Sequence, residues 1–117
     1  MAKFLYVYRR GRDLANTMSP EAMEQHLQRW RDWLGEGLKQ GWLLDGGDAL
    51  KQEGRVVRAA KVVTDGPFVE SKEVVGGYSL IEAPTIESAA ELAHGCPVLR
   101  SGGSVEIRPL AGFSSSK

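Results

Sequence analysis

The stretch from Ser19 to Gly41 constrains this chain more than any other. Ser19 can cap a helix, Pro20 suits its first position, and Glu21 sits near the positive end of its dipole. Met23, Leu27, Trp30, Leu34 and Leu38 then recur at helical spacing, with Glu24, Gln28, Asp32 and Lys39 on the opposite face. Gly41 can end the helix in a left-handed conformation. Such a helix buries one stripe, and the runs around it supply the strands it can lie on. Residues 3–9 are aromatic and β-branched and predict a central strand, followed by a polar loop over 10–18. Trp42, Leu43 and Leu44 predict a short strand stopped by Asp45, Gly46, Gly47 and Asp48, with Ala49 and Leu50 able to resume it.

The second half repeats this order in pattern, not in sequence. Residues 55–64 are valine-rich and extended, and Asp65, Gly66, Pro67 and Phe68 read as a turn. A strand over 74–83 leads through Pro84 and Thr85 into a short helix with Ile86, Ala89, Ala90 and Ala93 as its stripe. The alternating run 104–109 closes the chain. Two strand–helix–strand units with one extra extended segment predict an α+β fold. Its antiparallel sheet is ferredoxin-like, with both helices on one face.

Composition narrows the function. Fifteen Lys and Arg balance fifteen Asp and Glu, so no net field draws a polyanion, and phosphate-driven nucleic-acid binding is disfavoured. One cysteine excludes an internal disulfide, and no histidine pair has metal-ligand spacing. The apolar run from Phe4 to Tyr8 is far short of a membrane span, so the expectation is a cytoplasmic, single-domain protein without metal or cofactor.

Alternation also assigns faces. Val105, Ile107, Ile81 and Ala83 are expected against the helices, leaving Glu106, Arg108, Tyr78, Leu80 and Glu82 on the uncovered side. Leu5 and Val7 are read as the helix-facing pair of the first strand, which would place Phe4, Tyr6 and Tyr8 on that uncovered side too. An apolar sheet face of this size normally marks an interface. The expectation is therefore a two-fold dimer packed sheet to sheet.

The segment Val63-Thr-Asp-Gly-Pro-Phe-Val-Glu-Ser-Lys-Glu-Val-Val-Gly-Gly-Tyr78 resembles the signature of the DGPF proteins, grouped with the YCII-related domain. The likeness continues through Ile81-Glu-Ala83, Cys96-Pro97 and Gly102-Gly-Ser-Val-Glu-Ile-Arg-Pro109, assigning 1–111 to the domain and 112–117 to a flexible tail. The resemblance implies a ferredoxin-like domain that dimerises through its sheets into an α/β barrel. It also implies a suspected enzymatic role for a histidine and an aspartate, and for some members a setting beside alternative sigma factors. Asp65 falls on the motif aspartate. The family histidine aligns nearer Trp30 than His26, one turn earlier.

Each candidate has two readings. Asp65 is a general base or an Asx-turn residue bonding its own backbone. His26, hemmed by Trp30 and Trp33 above Gly37, is a neutral base with a lowered pKa or a packed boundary histidine. Arg108, Glu82 and Glu106, with Tyr78 beside them, form a substrate clamp or an ion pair that sets dimer register. Glu70, Lys72 and Glu73 read as a solvated loop, His94 as a C-terminal dipole partner and Cys96 as packing. The function expected is a small cofactor-independent lyase or isomerase of a small polar or aromatic molecule, using Asp65 and His26. The alternative is a non-catalytic, homodimeric ligand-binding or regulatory module.

Overall fold

The computed structural model describes residues 1–11, 14–66 and 73–112; no side chain is described for 15, 16, 61, 62, 64–66 or 73. In chain order the elements are β1 (Ala2–Gly11), α1 (Pro20–Gln40), β2 (Leu43–Ala49), β3 (Gly54–Arg58), β4 (Val62–Gly66), β5 (Glu73–Ala83), α2 (Ile86–Ala93) and β6 (Ser104–Pro109). The main sheet has the order β2-β5-β1-β6, with every neighbouring pair antiparallel. Among the described residues, strands β3 and β4 pair only with each other, as a hairpin inserted between β2 and β5. This is the expected α+β, ferredoxin-like arrangement with its extra segment.

Local signals explain most boundaries. The Ser19 hydroxyl accepts the Ala22 N–H at 3.1 Å and caps α1, and Gly41 ends it at φ 88° with its N–H on the Gly37 and Leu38 carbonyls. The Thr85 hydroxyl caps α2 by accepting the Ser88 N–H at 3.1 Å. Two strands run further than their composition predicts. β1 continues through Arg10 to Gly11, where a loop was expected. β2 crosses Asp45-Gly-Gly-Asp48 with two register shifts against β5 rather than stopping there. Asp65 and Gly66 close β4 opposite Arg55 and Gly54 rather than lying in a turn. Pro67, Phe68, Glu70, Lys72 and the tail residues 113–117 lie outside the described residues.

The face expected for β1 is reversed. Phe4, Tyr6 and Tyr8 are buried against the helices, and Leu5 and Val7 point to the open side. Every residue from 4 to 8 is apolar or aromatic, so alternation carried no contrast from which to choose. Volume and hydrogen bonding chose instead. A buried tyrosine needs a polar partner, and both find one: the Tyr6 hydroxyl donates to the Ala89 carbonyl of α2, and the Tyr8 hydroxyl donates to Ser79 at 2.8 Å. Burial pushes both phenols up from their ordinary pKa, so they stay protonated donors. The assignments for β5 and β6 agree with expectation: Ile81 and Ala83 are buried, and Val105 and Ile107 pack on the core.

Helix α1 covers this row with an aromatic layer. Trp33 stacks on Tyr6 at 6.2 Å, Trp30 meets Tyr8 edge-on at 4.7 Å, and Trp42 packs on Trp33 at 5.3 Å. The buried stripe of α1 is therefore His26 and Gly37 flanked by Trp30, Trp33 and Leu34, while Leu27 and Leu38 are largely exposed. Gly37 makes this roll of the helix possible, because a Cβ there would come within 2.8 Å of the Trp42 ring. Gly37→Ala gains about 1 kcal/mol of helix propensity but forces a packed indole to move, at a cost of about 1–3 kcal/mol. The expected net result is a lower melting temperature; a rise on thermal unfolding would contradict this packing.

Candidate functional site

A cavity of about 420 Å³ opens between α1 and the sheet, at the end where β1, β2 and β5 meet. This is within the ordinary range for small-ligand pockets. Its roof comes from α1 through Met23, His26, Leu27, Trp30 and Leu34; its floor from Tyr8, Arg10, Tyr78 and the glycines of β2 and β5.

The floor exists because of a polar stitch across three strands. Tyr8 donates to Ser79 Oγ, and Ser79 Oγ donates to the Gly46 carbonyl at 2.8 Å, linking β1, β5 and β2 beneath the cleft. Ser79 is fully buried, and this chain satisfies it. Beyond Gly46 the strand needs Gly47, whose φ is 66° and where a Cβ would collide with the Tyr78 carbonyl. Asp48 follows at the rim. Its Oδ1 accepts the Ala49 N–H at 2.8 Å, which fixes the carboxylate.

His26 is buried on the helix side, and its Nε2 accepts the Trp30 indole N–H at 3.1 Å. The ring therefore carries its neutral-state proton on Nδ1. Desolvation, and secondarily the charge of Arg29, lowers its pKa below the usual histidine value. At neutral pH it is an uncharged imidazole with one N–H to offer.

The remaining candidates of the main sheet share its open face. Tyr78 borders the cleft floor, while its register opposite Val7 turns its side chain to the open side, as alternation predicts. Arg108, Glu106 and Glu82 stand on the same open face of the sheet. There Glu106 accepts from Arg9 at 3.1 Å (Nε) and 2.9 Å (Nη2), and from Arg108 Nη1 at 3.3 Å. The paired guanidiniums, Arg9 first, hold the Glu106 carboxyl below the usual carboxylate range. The Asp65 backbone lies in the β3–β4 hairpin, outside the main sheet, and its side chain is among those not described. Cys96 is buried, with its thiol pushed up to about 12 by desolvation, and suits packing rather than nucleophilic chemistry. His94 is exposed at the end of α2. Asp48 and Arg10 were not singled out from the sequence. Their signal was faint: an aspartate ending a glycine pair, and an arginine two residues beyond Tyr8 on the same strand face.

The YCII-related domain model matches residues 2–114. This chain belongs to the YCII-related family. Within that assignment, an uncharacterized protein of Rhizobium meliloti (strain 1021) is 41% identical over 51 residues, a match spanning 43% of this YCII-related chain and 41% of that relative's length. No group of His, Cys, Asp or Glu among the described residues could hold a metal, and no helix among them is long and apolar enough to cross a membrane.

The lowered pKa of His26 has a definite sign for folding. The unfolded histidine binds a proton at higher pH than the folded one, so stability is full above about 6.5 and falls as pH drops toward the folded pKa. Because Trp30 touches the ring, tryptophan fluorescence reports this titration directly. The expected midpoint lies below the ordinary histidine value and disappears in His26→Gln; a midpoint at or above it would refute a desolvated His26.

Proposed function

We infer that this YCII-related protein binds a small, largely apolar or aromatic molecule in the α1–sheet cleft and acts on it by acid–base chemistry without a cofactor, as a lyase or isomerase. One observation carries the reading: a mostly apolar cleft of ligand size is lined by both a neutral histidine, His26, and an acidic residue, Asp48. In this reading Asp48, not Asp65, partners His26. The Asp48 carboxylate takes a proton from carbon next to a polarised group. The His26 Nδ1–H donates to that group's oxygen as negative charge develops on it. A neutral imidazole serves here because it donates a hydrogen bond without needing to be protonated first.

A second reading is favoured by the Trp30–His26 bond. With Nε2 occupied, His26 can act only as a donor unless Trp30 moves, and a donor that orients a ligand suffices for a non-catalytic binding or regulatory module. The two readings part on kinetics. If the protein is an enzyme, Asp48→Asn lowers kcat by about 10²-fold or more while KM changes little, the loss typical of a removed general base. A binding module keeps its ligand affinity in Asp48→Asn and shows no turnover in either form.

Self-association belongs to the same proposal. The open face carries Leu5, Val7, Leu80, Leu44 and Tyr78 around the Arg9–Glu106–Arg108 cluster. An apolar strip with a central ion-pair group supports a face-to-face pair of sheets. Light scattering should return twice the 12.8 kDa chain mass, and Leu80→Glu should return the single-chain mass with helical circular dichroism unchanged. A wild-type particle of one chain would remove the dimer and leave the cleft reading intact.

A further inference from the structure

The cleft holds one cation that the acid–base reading does not use. Arg10 extends the helix-side row Phe4, Tyr6, Tyr8 by one more position and lines the cavity. Its guanidinium makes a single hydrogen bond, from Nη1 to the Gly11 carbonyl at 3.2 Å, and no ion pair among the described residues. By contrast Arg9 and Arg108 share Glu106, and Arg31 reaches Glu24 at 2.9 Å. An arginine carries five N–H donors in a planar fork, so among the described residues most of those on Arg10 remain unspent.

The strand beneath is shaped to seat it. A Cβ on Gly76 would lie 2.6 Å from Arg10 Nε and 2.9 Å from Cδ, so the arginine side chain occupies the space a side chain at 76 would take. The next glycine, Gly77, lies under Asp48, with a built Cβ 2.8 Å from the Asp48 carbonyl. The Arg10 guanidinium and the Asp48 backbone thus stand over adjacent glycines, and Trp30, Leu27 and Leu34 form the apolar wall. The fork of an arginine matches the two oxygens of a carboxylate.

We propose that the cleft selects a small carboxylic acid with a flat apolar body, its carboxylate clamped by Arg10 and its body against Trp30. Gly76 then sets specificity by leaving room for the guanidinium. The assignment rests on the cleft being a ligand site, as proposed above.

The test uses the full chain at neutral pH with matched acids and amides: benzoate and benzamide, phenylacetate and phenylacetamide, hexanoate and hexanamide. Titration is followed by calorimetry and tryptophan fluorescence. At least one acid is expected to bind about tenfold or more tightly than its amide, the scale of a charge-assisted bond. Arg10→Gln should bring that acid to the affinity of its amide and leave the amide's own affinity unchanged. Gly76→Ala should do the same by displacing the guanidinium, with thermal unfolding showing that both variants fold. If acid and amide bind equally, or Arg10→Gln weakens both alike, the anchor is wrong while the cleft remains a ligand site. If none of the compounds binds, the anchor and the cleft reading fall together.

Discussion

The orientation of β1 is the constraint on which the rest of this structure depends. Two buried hydroxyls hold it: Tyr6 reaches the Ala89 carbonyl of α2, and Tyr8 reaches Ser79 and through it Gly46. Turning the strand over would leave these acceptors without their donors and take two phenol rings out of the aromatic layer with Trp30 and Trp33. An unpaired buried polar group costs about 1–3 kcal/mol, and each aromatic pair contributes about 0.5–1.5 kcal/mol beyond its area. Both effects act in the same direction, so the register is firmly set.

From that one choice the chemistry of the two sheet faces follows. Phe4, Tyr6, Tyr8 and Arg10 lie on the helix side, and Leu5, Val7 and Arg9 on the open side. Arg9 thereby becomes the partner of Glu106, and Arg10 is delivered to the cleft. The polar stitch that anchors Tyr8 also carries β2 across its glycine pair, so the bond that orients the strand builds the cleft floor and places Asp48 at its rim. Stability and the candidate site share the same hydrogen bonds, which makes Ser79 and Gly47 structural supports of the site rather than parts of its chemistry.

Much of the fold could be read from local signals. The caps at Ser19 and Thr85, the stop at Gly41 and the alternation in β6 are properties of a few neighbouring residues, and each acts as its chemistry predicts. His26 was also legible in part: its position above Gly37 and between two tryptophans follows from helical spacing, and its lowered pKa follows from that burial. The site as a whole was not legible. Asp48 and Arg10 acquire their place only when β2 and β1 run further than their glycine and polar content suggests, because pairing with β5 outweighs weak strand propensity. The aspartate of the Asp-Gly-Pro-Phe run carries the clearest motif, yet its backbone belongs to a hairpin outside the main sheet.

The amino-acid order alone determined which segments become helix and strand and in what sequence, since spacing, capping and turn residues act over a few positions. It also determined the family, through motifs spread along nearly the whole chain. Which side of β1 meets the helices, how far α1 is rolled about its axis and which charged residues reach the cleft were decided by tertiary packing. In the run from Phe4 to Tyr8 every side chain is apolar enough to be buried. Only the shape of the Trp33 and Trp42 layer, and the acceptors at Ala89 and Ser79, distinguish one face from the other.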